Sequence, residues 1–160
     1  MMLSSDNWVD ILIALFSFFA GFAVKTVFMT KKEREDIKCE KQDRSNRLES
    51  EVIEAGNEYT NALSDLTQSG DFNTFMIINN AGERYFNALN ALACAIVSDT
   101  IDEKSAINSH IHKLRSAYTK IIPEHYIVLR GLANKCNIPY KAIFKAENYR
   151  SIRVAINKYK

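Results

Sequence analysis

A chain of 160 residues with a net charge of +2 holds one small domain and little more, and five Gly with two Pro are too few for a sandwich, a loop-rich scaffold or a low-complexity linker. Three cysteines, Cys39, Cys94 and Cys136, stand at no paired spacing, which argues for free thiols in a reducing compartment rather than a disulfide framework. Cys94 lies in an apolar run and is expected to be buried.

After a short N-terminus, 1–7, residues 8–29 read WVDILIALFSFFAGFAVKTVFM. The uncharged stretch 11–24 covers 14 residues and grows to 22 with its flanks, and a bilayer core of about 30 Å takes about 20 helical residues. The segment is therefore expected to be a transmembrane helix of the signal-anchor type. Its anchoring residues would be Trp8 at the headgroup level, the aromatic set Phe16, Phe18, Phe19 and Phe22, and Lys25 snorkelling to the interface. A cleaved signal peptide fits less well, because residues 1–9 carry no Lys or Arg and the small residues Ala20, Gly21 and Ala23 lie inside the apolar run. Ser17 and Gly21, at i and i+4, offer a place for contact between anchors.

Between positions 30 and 47 stand Lys31, Lys32, Arg34, Lys38, Lys41, Arg44 and Arg47, against no base before the anchor. The positive-inside rule then puts the N-terminus outside and the rest of the chain in the cytoplasm, at an inner membrane if the chain is bacterial. Residues 30–47 are charged on every face. Opposite charges at helical spacing, Lys31 with Glu35, Lys32 with Asp36, Glu40 with Arg44 and Asp43 with Arg47, predict a solvent-borne stalk.

A helical bundle of four or five helices is expected over 48–160. Leu48, Val52, Ala55, Tyr59, Ala62 and Leu66 follow a heptad alternation, which suits core packing within the domain or a short coiled coil. Gly70 reads as a helix stop, Asp71 as the cap of the next helix, and 72–97 as the central, most apolar helix with Gly82 at a close crossing. Thr100-Ile101-Asp102-Glu103 has the form of a capping box. Ile107, Ile111, Leu114, Tyr118 and Ile121 then form a stripe that Pro123 is expected to end, opening a further short helix carried by Tyr126, Ile127, Leu129, Leu132 and Ala133. Asn137-Ile138-Pro139 makes a break, and 140–159 is expected to be a last helix with Ile143, Phe144, Ile152, Ala155, Ile156 and Tyr159 inward.

Charge is unevenly placed. Residues 49–103 hold ten acids against Arg84, a net of −9, and residues 104–160 hold twelve bases against Glu124 and Glu147, a net of +10. Packing of the two halves against each other would neutralise both. The alternative is that Lys141, Lys145, Arg150, Arg153, Lys158 and Lys160 face an anionic partner, whether the inner leaflet or a nucleic acid.

Catalytic signals are absent from the spacing. His110 and His112 diverge on a helix, His125 lies beyond the expected break, and Cys136 has no flanking motif that makes it a nucleophile. No metal or cofactor site is expected, and no enzyme. The expected fold is all-α: a single N-terminal transmembrane helix (8–29), a charged helical stalk (30–47) and a small cytoplasmic bundle (48–160). The function expected from these features is a non-catalytic, single-pass scaffold or adaptor that tethers a cytoplasmic protein partner, or a second copy of itself, at the bilayer. A membrane-acting effector that oligomerises as toxins or anti-phage proteins do, and a membrane-tethered nucleic-acid binder, are the alternatives.

Overall fold

A computed structural model of the chain describes residues 5–64 and 71–159, with side chains before residue 30 described only at 17–19, 21, 22, 24 and 25. The described residues are helical apart from their connections and contain no strand. They form two units, divided between residues 40 and 41.

Helix α1 runs over Ser5–Ser64 and contributes to both units. Residues 30–40 are exposed at every position, as a helix without an apolar stripe must be. Further along α1, Arg47 pairs with Glu51 rather than with Asp43. Among the described residues no helix is long and apolar enough to cross a membrane; the side chains of Trp8 and Phe16 lie outside the described set, as does much of the apolar run to which they belong. From Ser45 onward one face of α1 turns inward, and Leu48, Val52, Ala55, Tyr59 and Ala62 are all buried at the spacing that the sequence shows. Leu66 and Gly70 fall outside the described residues.

Helix α2 spans Phe72–Val97, and Asp71 caps it by accepting from the Thr74 amide at 2.8 Å and from the Thr74 hydroxyl at 2.9 Å. The two bonds hold the Asp71 carboxyl below its ordinary pKa. The inward face of α2 includes Phe75, Ile78, Gly82, Phe86, Leu89, Leu92, Ala93 and Ile96. The apolar run is wider than that face. Phe72, Met76, Ile77 and Val97 are consequently exposed, and Cys94, expected inside, is exposed too because its neighbours Ala93 and Ala95 take the inward positions.

The expected capping box does not form. The Thr100 hydroxyl donates to the Ala95 carbonyl at 3.3 Å and so finishes α2, while Asp102 caps the next helix by accepting from the Ser105 amide at 3.0 Å. A carboxylate is the stronger acceptor at a helix start, and here it stands one position before the first helical residue.

From there a helical stretch, α3, continues over 103–135, and Pro123 does not divide it. The reason is a pair of wide turns, Ala106–His110 and Ala117–Ile121, in which the amide hydrogen bond reaches back five residues: Ile111 N–H to the Ala106 carbonyl and Ile122 N–H to the Ala117 carbonyl. Pro123 comes directly after the second wide turn, at the start of a new α-helical segment, Ile122–Lys135, where a proline costs least. Each wide turn takes one extra residue and rotates the stripe. Ile107 and Ile127 are therefore exposed, Tyr118 and Ile121 are half-buried, and the inward face is Ala106, His110, Ile111, Leu114, Ala117, Ile122, His125, Leu129, Leu132 and Ala133.

Asn137, at φ 53, stops α3 in the left-handed conformation that Asn tolerates, and the Ile138 amide returns to the Ala133 carbonyl at 2.8 Å. The expected helix over 140–159 is shortened: 138–145 is a non-helical strap, Ala146–Tyr149 is one 3-10 turn, and α4 is Arg150–Lys158. The strap places its aromatics on the bundle, Tyr140 against Phe75 and Phe144 against Tyr118, which leaves Ile143 exposed. Ile152, Ala155 and Ile156 of α4 close the core, packing with Leu48, Val52, Leu89, Leu92 and Leu114 in the larger cluster, while Tyr59, Ala62, Phe75, Ile78, Leu129 and Leu132 form the smaller one. Two ion pairs, Glu49 with Lys113 and Asp99 with Lys158, join the acidic half of the sequence to the basic half.

Candidate functional site

Two histidines of α3 enter the core and meet two hydroxyls of α1. His110 Nε2 lies 3.0 Å from Ser45 Oγ, and His125 Nδ1 lies 3.0 Å from Tyr59 Oη. The hydroxyls are 14 positions apart and the histidines 15. At about 100° per residue, 14 positions restore a helix to nearly the same face and a fifteenth overshoots it. The wide turn at Ala117–Ile121 absorbs the extra residue, so both imidazoles face α1.

The two contacts differ in their surroundings. His125 lies against Gly82, where a Cβ would come within 2.2 Å of the ring, and Phe86 meets it edge-to-face at 4.9 Å between centroids. Burial pushes its pKa down to about 4 and pushes the Tyr59 phenol up to about 12. Tyr59 therefore holds its proton and the ring stays neutral, and the bond runs from the phenol to Nδ1 in one tautomer of the imidazole and from Nδ1–H to the phenol oxygen in the other. His110 is fully buried and its Nδ1 has no hydrogen-bond partner. Its pKa is lowered, chiefly by burial, with Glu49 opposing and Lys113 adding to the effect. Glu49 pairs with Lys113 and accepts from the Ser109 hydroxyl, and these two contacts hold its carboxyl below the ordinary value against the opposing effect of burial.

A hydroxyl 3.0 Å from an imidazole is the contact of a nucleophile with its base. Here Ser45 is 1% exposed and His110 is 0% exposed, so a substrate has no approach to either. His125 is different, because it lies at the inner end of two clefts. One, of about 260 Å³, is apolar in character and bordered by Gly56, Tyr59, Leu63, Tyr85, Ile121 and Val128. The other, of about 390 Å³, has Asn79, Glu83 and Asn87 on α2, Tyr126 on α3, and Tyr140, Asn148 and Tyr149 from the strap and the 3-10 turn. Tyr126 and Tyr149 join their hydroxyls at 2.9 Å, and burial with that bond drives the Tyr149 pKa upward. Sequence reasoning misses this cleft. The repeat Asn79, Glu83, Asn87 at four-residue steps is its one visible sign, and its opposite wall comes from a segment that reads as helix.

The residues singled out by sequence go to separate places. Phe18, Phe19, Phe22, Lys25, Ser17 and Gly21 are exposed, and a Cβ at Gly21 would meet nothing within 4 Å. Lys141, Lys145, Arg150 and Arg153 are exposed, whereas Lys158 is engaged with Asp99 and with the Ile96 carbonyl at 2.9 Å, and Lys160 lies outside the described residues. His112 is exposed on the side of α3 away from His110, and Cys136 is half-buried. No family model, no curated protein and no solved structure matches the chain.

Proposed function

We propose that the chain is a non-catalytic, membrane-anchored helical adaptor, with residues 8–29 in the inner membrane and the bundle holding a cytoplasmic protein partner near the bilayer. The observation that carries this reading is the change along α1. Phe18, Phe19, Phe22 and Val24 are between 55 and 68% exposed, whereas the apolar seam from Leu48 to Ala62 is used up inside the bundle. Exposed aromatics in a stretch, 8–29, whose charged residues are Asp10 and Lys25 suit a lipid environment, and the basic flank of 31–47 suits a cytoplasmic location for the remainder of the chain. The non-catalytic part of the reading is supported by the sealed Ser45–His110 pair.

A second reading, an effector whose anchors assemble in the bilayer, is favoured by one observation: Ser17 and Gly21 are exposed and Gly21 leaves room for a close helix. Expression of the full chain and of a chain lacking 1–29 separates the two. Under the adaptor reading the full chain is in the membrane fraction, a cytoplasm-only reporter after Lys160 is active, detergent extracts yield a stoichiometric partner, and growth is unaffected. Loss of membrane potential that needs residues 1–29 moves the effector to first place, and a full chain that stays in the soluble fraction removes both.

A further inference from the structure

We infer that the polar cleft beside His125 is a binding site for a planar nitrogen heterocycle of nucleobase class, neutral or cationic, and that it rejects anions. Three observations carry this. The first is the wall on α2, where Asn79, Glu83 and Asn87 stand at four-residue steps and so present one continuous row of amide, carboxylate and amide. Asn79 donates to Glu83 at 3.1 Å, which leaves the second carboxylate oxygen and both amide carbonyls as acceptors, with the Asn87 amide as a donor. Such a row supplies both donors and acceptors to a ligand that, like the edge of a base, carries both kinds of group in one plane.

The second observation is aromatic. Tyr126, Tyr140 and Tyr149 border the cleft with Phe86, and burial raises the pKa of Tyr140 and Tyr149, so both phenols keep their protons. Rings of this kind stack on a heterocycle whatever its substituents. The third is charge: Glu83 is the only charged group among the lining residues described. A phosphate or carboxylate would meet that carboxylate with no cation among the lining residues described to offset it, Arg130 acting on Tyr140 from outside the lining. The volume, about 390 Å³, falls within the range of roughly 300 to 1,000 Å³ usual for small-ligand clefts. Each wall comes from a different element, so a bound ligand would tie the strap to α2 and α3.

The full chain in detergent micelles is titrated with adenosine, guanosine, cytidine and uridine and with their 5′-monophosphates, followed by saturation-transfer NMR and calorimetry. At least one nucleoside should bind in the micromolar to submillimolar range, and its monophosphate should bind about tenfold more weakly, the loss expected when one charge is left unpaired. The paired substitution Asn79→Leu with Asn87→Leu, both on the rim and outside the core, should abolish binding while helical circular dichroism is unchanged. Glu83→Gln should narrow the gap between nucleoside and monophosphate. No nucleoside binding at millimolar concentration, equal or tighter monophosphate binding, or binding that survives the double substitution would each overturn the inference.

Discussion

His110 and His125 sit on the same helix, face the same neighbour and meet the same kind of partner, yet they tolerate change differently. His125 is wedged: Gly82 on one side, Phe86 and Tyr59 on two others, and a hydrogen bond to the Tyr59 phenol. His110 is sealed but incompletely satisfied, with Nδ1 unpartnered and a small hydroxyl for company. The contrast teaches that a buried imidazole is held either by shape or by polarity. The first fails when volume is added and the second when a single hydrogen bond is lost.

The largest expected effect is on acidification, which tests the property that the two share. Both histidines have folded pKa values below the unfolded one, so the unfolded chain binds more protons and stability falls as pH drops. For His125 the window runs from its ordinary value of 6.5 to about 4. Stability is fully present above that window, and the shift corresponds to about 3 kcal/mol lost across it. Denaturant melts at pH 7.5 and 4.5, followed by near-ultraviolet tyrosine signals, should show this loss, and His125→Gln should remove most of it. A melt that is level with pH would mean that water reaches the ring.

The shape side of the comparison is broken by Gly82→Ala. The new methyl would overlap the His125 ring, which Tyr59 and Phe86 confine on two other sides, so that it could yield only into the clefts it borders and at the expense of those contacts. Overpacking of this kind costs about 1 to 3 kcal/mol, and an approach of 2.2 Å puts it at the upper end; the better helix propensity of Ala offsets about 1, for a net loss of about 2. His125→Ala should restore a Gly82→Ala chain towards the single His125→Ala value, because the clash is then gone. Gly131→Ala is the control: a Cβ there meets nothing within 4 Å, so stability should rise by up to about 1 kcal/mol.

Legibility in the sequence tracks the regularity of the backbone. The seam from Leu48 to Ala62, the Asp71 cap, the span of α2 and the close approach at Gly82 are all readable, since each rests on ideal helical spacing or on a local hydrogen bond. Small departures come at Cys94 and at the Thr100 cap, and the large ones begin at the wide turns. A stripe counted in threes and fours loses phase where five residues make a turn, and the count then puts Ile107 inside and His125 beyond a break at Pro123 that does not exist. Past Pro139 the strap has helix-compatible residues, and the packing of Tyr140 and Phe144 on the bundle accounts for its staying non-helical as far as 145. The cleft depends on both features, which is why its lining does not emerge from spacing.

The polarity side is tested by Ser45→Ala, with a smaller effect than either of the others. The substitution leaves His110 fully buried with both ring nitrogens unpartnered, and an unmet buried group of this kind costs about 1 to 2 kcal/mol. No volume is added, so the packing of the core should persist. If polarity alone is the defect, replacing the imidazole as well, by His110→Leu in the Ser45→Ala chain, should recover most of the loss, because two apolar groups then face each other where two polar ones did. Failure of the double substitution to recover would show that the imidazole holds its place by shape after all, and the distinction between the two histidines would then disappear.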